Sequence, residues 1–181
     1  LANCVRESSL MSHWPVSVIP YSIDTQIWRP LGRKFARSIL GLPEDVPLLL
    51  FGAVGGAKDP RKGFDLLEEA LSYLKEEMPD LEIVIFGQSR PEHTNDFGFN
   101  VHYMGRLHDE TSLSLLYSAV DTFVLPSRQD NLPNTGLEAQ SCGTPVVAFN
   151  TGGLPDIVVH KKTGYLAEAF DPIDLAAGIH W

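Results

Sequence analysis

Two stretches of this chain carry residues whose types and spacing could do chemistry on an anionic, hydroxyl-rich ligand. In Pro126-Ser-Arg-Gln-Asp-Asn-Leu-Pro-Asn-Thr-Gly-Leu-Glu138, seven residues separate Asp130 from Glu138, and the pattern predicts a helix start between them, near Pro133 or Asn134. The first N–H groups of a helix lack intrahelical acceptors, so those of Asn134, Thr135 and Gly136 could hold a phosphate oxygen. A carboxylate a turn further on, at Glu138, could accept hydrogen bonds from two neighbouring hydroxyls, as on a ribose. Gly136 would leave room for a ligand to come close, and Asp130 would stay in the loop. A turn aspartate and a solvated helix glutamate are the alternative, and spacing alone leaves both open. Upstream, Gly52-Ala-Val-Gly-Gly56 runs into Lys58-Asp-Pro-Arg-Lys-Gly63. Lys62 thus follows a strand and a glycine-rich loop, where an ammonium group can meet a phosphate. The alternative there is a solvated lysine at a helix start.

The elements that must position these residues alternate along the chain. Residues 47–53, 81–86, 101–104, 122–125 and 145–149 read as short apolar strands. Phe64, Leu67, Leu71, Leu74 and Met78 recur at steps of three and four, which predicts an amphipathic helix ended by Pro79. Asp109 caps a second helix, with Leu113, Leu116, Tyr117 and Val120 on one stripe. A short helix is expected near Pro155, a turn at Thr163-Gly164, and a last helix opened by Asp171-Pro172. Continuous apolar strands between helices predict the α/β class: a Rossmann-like parallel sheet with helices on both faces. Ligands of such sheets sit outside the carboxyl ends of the strands. The polar or glycine-rich segments 52–63, 87–90, 105–109, 126–136 and 150–153 fall at that edge.

A length of 181 residues fits one domain. Residues 1–15 read as a connecting segment and 16–181 as the domain proper. The chain opens on Leu1 and stops at Trp181 inside a helical pattern, so it is expected to be a piece of a longer protein. A net charge of −9 argues against nucleic acid as a partner. Cys4 and Cys142 stand far apart, and the six histidines do not cluster. No disulfide or metal site is expected, and a reducing cytoplasm is the natural compartment.

The stretch from Asp130 to Glu138, continued by Ala139 and Cys142-Gly-Thr-Pro-Val-Val147, resembles the signature of the retaining GT-B glycosyltransferases called family 4 or group 1. Val18-Ile-Pro-Tyr-Ser-Ile-Asp24, Arg61-Lys-Gly-Phe-Asp-Leu-Leu67, Gly105-Arg-Leu107, Ala119-Val-Asp-Thr-Phe-Val-Leu-Pro-Ser127, Gly152-Gly-Leu-Pro-Asp-Ile157 and Thr163-Gly-Tyr165 follow in family order. The resemblance implies the C-terminal, donor-binding half of a GT-B fold. It implies transfer of a sugar from a nucleoside diphosphate sugar to an acceptor hydroxyl with retained configuration, in polysaccharide or glycolipid synthesis. By similarity Lys62 meets the donor diphosphate and Asp130 contacts the transferred sugar, the two forming the catalytic set. Glu138 binds the ribose, the backbone of Asn134, Thr135 and Gly136 holds the distal phosphate, and Arg106 and Leu107 edge the nucleobase. Gly87 opens the loop after the second main strand. The family works without a bound metal or other cofactor; the nucleotide sugar is its substrate.

The sequence departs from the family pattern in four places. Ala53 stands where an Arg is usual, leaving Lys58 or Arg61 to supply a second positive charge. Asp130 stands where Glu is commoner, Tyr21 where Asn is usual, and Gln88 and Ser89 replace a second glycine. The partner implied is an N-terminal GT-B domain that carries acceptor recognition and reaches the inner face of the membrane; without it the fragment is expected to be inactive. Two rivals remain in view. One is a non-catalytic GT-B-like nucleotide-binding module. The other is a dinucleotide-dependent oxidoreductase domain, suggested by the glycines of 52–56. That run is not GxGxxG, and Phe86-Gly87 stands where a ribose-binding acid belongs.

Overall fold

The computed structural model describes residues 2–52, 59–90 and 97–181. Six strands, Leu48–Gly52 (β1), Glu82–Phe86 (β2), Val101–Tyr103 (β3), Thr122–Leu125 (β4), Val146–Phe149 (β5) and Gly164–Ala167 (β6), form one sheet. Every pairing is parallel, in the order β3-β2-β1-β4-β5-β6. The predicted doubly covered sheet is therefore present, and the order reverses at β1 and β4. Their carboxyl ends flank the crevice where sheets of this kind hold ligands.

Alternate residues of each strand enter different cores. Leu48, Leu50, Val84, Phe86, Phe123, Val146 and Ala148 lie in one cluster. Leu49, Phe51, Ile83, Ile85, Val124, Val147 and Phe149 lie in the other. The first face is covered by Arg33–Leu40 (the second helix, α2, after the exposed Ala2–Glu7, α1), Glu110–Ala119 (α4) and Asn134–Ser141 (α5). The second is covered by Phe64–Leu74 (α3) and Pro172–His180 (α6). Asp109 caps α4 by accepting from Ser112 N–H, and Asp171 caps α6 ahead of Pro172. None of the described helices is long and apolar enough to cross a membrane.

Four elements differ from the sequence reading. Gly164–Ala167, expected to leave a turn and no more, continues as the edge strand β6, whose Tyr165 and Leu166 are only half-buried. α2 was not expected, because its core position is filled by a charged residue, Arg37. α3 ends at Leu74 rather than near Met78, although Met78 N–H still donates to the Leu74 carbonyl at 2.8 Å. The start of the chain is helical at Ala2–Glu7, with no buried residue there.

Arg37 ties α2 to the lower ends of the two central strands. Its side chain is 3 % exposed. Nε donates to Ala119 O at 2.7 Å, and Nη1 donates to Glu44 O and Val46 O at 2.7 and 2.9 Å. Nη2 meets Asp121 Oδ2 at 2.7 Å, and the same oxygen accepts from Leu48 N–H at 2.8 Å. A buried guanidinium with all its partners is tolerated; removing it leaves several carbonyls without their donor and Asp121 with only Arg33 and the Leu48 N–H. Arg37→Met should therefore lower unfolding free energy by roughly 3–5 kcal/mol in urea titrations. A loss under about 1 kcal/mol would show that the network anchors nothing.

Candidate functional site

The loop after β1 resumes at Asp59, whose carboxylate accepts from Arg61 N–H at 3.0 Å and starts the 3-10 turn Pro60–Lys62. Proline at the first position suits such a start. Gly63 closes the turn at φ 64°, and a side chain there would place its Cβ 1.9 Å from Pro126 O. Only glycine satisfies both demands, the left-handed φ and the contact with the end of β4. The residue before it, Lys62, is thus carried against the loop that follows β4. Lys62 sits in this turn rather than in a helix, and its Nζ meets Asp130 Oδ2 at 2.8 Å.

Arg128 makes that approach rigid. Its N–H donates to Arg61 O at 2.8 Å and its Nη1 to Pro60 O at 3.0 Å. The same guanidinium grips both oxygens of Asp65, at 2.7 and 2.6 Å. This Arg128 fork holds the Asp65 carboxyl below the usual carboxylate range. Nothing in the spacing singled out Arg128; the residue two places before Asp130 in the motif was passed over.

On the other side, Gly153 N–H donates to Asp130 O at 3.0 Å. A Cβ on Gly152 (φ 58°) would lie 2.3 Å from Asp130 O, and one on Gly153 would lie 1.2 Å from Asn131 O. The paired glycines exist so that the loop after β5 can press on the loop carrying Asp130. Three loops are in this way pinned together at the carboxyl edge.

α5 begins at Asn134, as expected, with Pro133 at its cap. Among the described residues, neither Asn134 N–H nor Thr135 N–H has an acceptor in the protein. Gly136 corrects the sequence reading twice. Its N–H is taken by Pro133 O at 3.0 Å. Its α-carbon faces inward, where a Cβ would lie 3.0 Å from Leu125 Cδ1 and 3.2 Å from Ile157 Cδ1. The glycine lets α5 sit close on the sheet, and gives no space to a ligand.

Glu138 is not a solvated helix residue. It is half-buried, and its Oε2 accepts from the Tyr117 hydroxyl of α4 at 3.1 Å. Burial pushes its carboxyl upward; the Tyr117 hydroxyl opposes that rise and nearby Glu110 adds to it. Arg61, offered as the second phosphate cation, is bound to Asp59 by two contacts, at 3.1 and 2.8 Å. Its charge is thus already matched. Lys58 and Ala53 lie outside the described residues. Gly87 (φ 90°) donates its N–H to Gly105 O at 2.8 Å, joining the loops after β2 and β3, with Arg106 exposed and Leu107 packed on the core edge. A concavity of about 810 Å³ lies elsewhere, along β3 beside Arg90, Asn100 and His102. The switch point holds the convergent charges and the open amides, at the edge where sheets of this kind bind ligands.

Comparison with known proteins decides the family. Residues 49–181 match the family described as glycosyl transferases group 1. The chain belongs to that family. This group 1 chain is 32 % identical over 174 residues to a D-inositol 3-phosphate glycosyltransferase of Xylanimonas cellulosilytica, which covers 87 % of the chain and 40 % of the relative. It is 31 % identical over 180 residues to a Corynebacterium glutamicum protein named GDP-mannose-dependent monoacylated alpha-(1-6)-phosphatidylinositol monomannoside mannosyltransferase, covering 91 % of the chain and 46 % of the relative. The chain spans less than half the length of these relatives. Its fold superposes on sucrose-phosphate synthase from Thermosynechococcus elongatus with a TM-score of 0.80 at 27 % identity, over 98 % of the chain and 45 % of that protein. The Anabaena protein HepE, solved with UDP-glucose, shares the fold at a TM-score of 0.69 and 21 % identity, over 87 % and 45 % of the two chains.

The raised Glu138 carboxyl has a consequence for stability. Its folded state holds the proton more tightly than the unfolded chain, so ionisation costs stability. That cost appears as pH rises above the ordinary glutamate range and levels off once Glu138 is ionised in the fold. Glu138→Gln keeps an acceptor for Tyr117 without the charge. It should raise the melting midpoint by roughly 1–3 °C at pH 8, with a smaller gain at pH 4. A lower midpoint at pH 8 would contradict the assignment.

Proposed function

We propose that the chain is the nucleotide-sugar-binding domain of a retaining glycosyltransferase that moves a sugar from a nucleoside diphosphate to an acceptor hydroxyl, in glycolipid or polysaccharide synthesis. The observation that carries this reading is the Lys62–Asp130 contact of 2.8 Å across the switch point of the sheet. Family membership, the relatives' names and the UDP-glucose complex of HepE support it.

In this reading the Lys62 ammonium leaves Asp130 and turns to the donor diphosphate, neutralising charge as the sugar–phosphate bond breaks. The Asn134 and Thr135 N–H groups hold the distal phosphate, aided by the partial positive charge of the α5 start. Asp130, freed of Lys62, accepts from hydroxyls of the transferred sugar. Glu138 accepts from the ribose, while Gly87, Arg106 and Leu107 border the base. Lysine and helix amides supply the positive charge, so no metal is assigned to the step. The acceptor and the facing wall of the crevice belong to a further, N-terminal domain, and the enzyme works in the cytoplasm, at the inner face of the membrane.

Titration calorimetry of the intact protein against UDP, GDP and ADP tests this. One of them should bind, and Lys62→Ala should weaken it at least tenfold, about 1.4 kcal/mol. Asp130→Asn should leave the nucleoside diphosphate nearly unaffected and abolish sugar transfer. EDTA should change neither. Absence of binding by all three nucleotides, or full affinity in Lys62→Ala, would overturn the assignment.

A further inference from the structure

Tyr117 is a fully buried phenol at the heart of the first core. Its ring is boxed by Trp28, Phe86 and Phe123, at centroid separations of 6.0, 6.0 and 5.6 Å. Its carbonyl accepts from Thr144 Oγ1 at 2.5 Å. Packing holds the ring and this hydrogen bond holds the backbone. A core position of this kind is ordinarily filled by phenylalanine, because a buried hydroxyl costs free energy unless it is bonded. The one acceptor for this hydroxyl among the described residues is Glu138 Oε2, at 3.1 Å. A rigid donor thus ends on a carboxylate that lies 21 residues away and half out of the core.

We propose that Tyr117 is a positioning residue for donor binding: its hydroxyl occupies Glu138 Oε2 and holds the carboxylate in one orientation, leaving Oε1 to accept from the ligand's vicinal hydroxyls. The inference rests on the reading of Glu138 as the ribose-binding acid. Two effects follow from the geometry. The first is orientational, since a glutamate carboxyl rotates freely about its last bond unless one oxygen is held. The second is electrostatic. A hydrogen bond to the charged form favours that form, so the hydroxyl keeps Glu138 ionised against the burial that raises it.

Among the described residues, the other titratable groups that act on Glu138 are Glu110, also on α4, and Cys142 at the end of α5. The strands under α5, Thr122–Leu125 and Val146–Phe149, carry no titratable residue. Among the described residues, Tyr117 is therefore the neutral donor that opposes a neighbouring acid and burial.

The test measures affinity for the best-binding nucleotide of UDP, GDP and ADP between pH 4.5 and 8, on the intact protein. The variants are Tyr117→Phe, Glu138→Ala and a protein with 3-fluorotyrosine at 117. Tyr117→Phe keeps the ring and should weaken binding about fivefold at pH 8. It should also move the acid midpoint of binding upward, because Glu138 now protonates more readily. Fluorotyrosine is a stronger donor and should move the midpoint downward, and it keeps the packing should the Phe variant fold poorly. The nucleotide's own titration is common to all variants and cancels in the comparison. If Glu138→Ala binds as the parent does, the ribose reading of Glu138 fails. If Glu138→Ala loses binding while neither variant at 117 moves the midpoint, Glu138 stands and Tyr117 is only core.

Discussion

The ion pair between Lys62 and Asp130 depends on a constraint that neither residue supplies: the close approach of the loops leaving β1 and β4. The side chains are 34 % and 18 % exposed, and a pair so open to water is worth under about 1 kcal/mol. It cannot hold two loops together. What holds them is backbone. The α-carbon of Gly63 lies against Pro126 O, and Arg128 fastens the Pro60–Lys62 turn by its own N–H and by its guanidinium. The pair is the consequence of that scaffold. Because it is weak, the contact would yield to a diphosphate at small cost on the proposed reading, the ammonium turning while the backbone that carries Lys62 stays in place. This is preorganisation in the useful sense: the geometry is set by backbone contacts and the Arg128 fork rather than by the ion pair itself.

The same economy explains how an acidic protein can serve an anion. With a net charge of −9, the long-range field repels an anion, but at physiological salt that repulsion is largely screened beyond about 8 Å. The attraction is local and built from few groups. Among them are one ammonium, two open amides at the start of α5 and the partial charge of that helix. Arg61 and Arg128 are each paired in the fold, with Asp59 and Asp65, and Arg128 also fastens the Pro60–Lys62 turn.

How much of this was legible in the sequence follows from which partners lie close along the chain. β1, β2, β4 and β5 were readable as apolar runs because both faces of each are buried. Of the two edge strands, the half-buried β3 was read from its short run at 101–104, whereas β6 opens on the glycine of a turn and was not, and α2 hides a buried arginine at a core position. Asp130, Glu138 and the start of α5 were readable from one short motif. Gly136 was misread because a glycine reveals only that a side chain is excluded, never which side excludes it; here the sheet does. Arg128 and Tyr117 were invisible as site residues. Their partners stand 63 and 21 positions away, and only the fold brings them together. Family resemblance carried Lys62 and Asp130, 68 residues apart, to the same place before coordinates did.

Glu138 shows where such a site is at odds with the fold that carries it. A carboxylate that must grip hydroxyls gains from a sheltered setting, because hydrogen bonds strengthen as water is excluded. The same shelter makes its charge costly and draws it toward the neutral acid, which can donate but no longer accepts fully at both oxygens. Placing the donor on Tyr117 meets both demands at once. The phenol comes from the core, carries no charge, and is itself raised far above its usual range by burial and by Glu138, so it stays protonated throughout. A lysine or arginine there would lower the Glu138 carboxyl more strongly, but it would close an ion pair that the ribose would then have to break. A neutral, rigid donor orients the acid without competing for its charge, so the aromatic core is continuous with the site it supports.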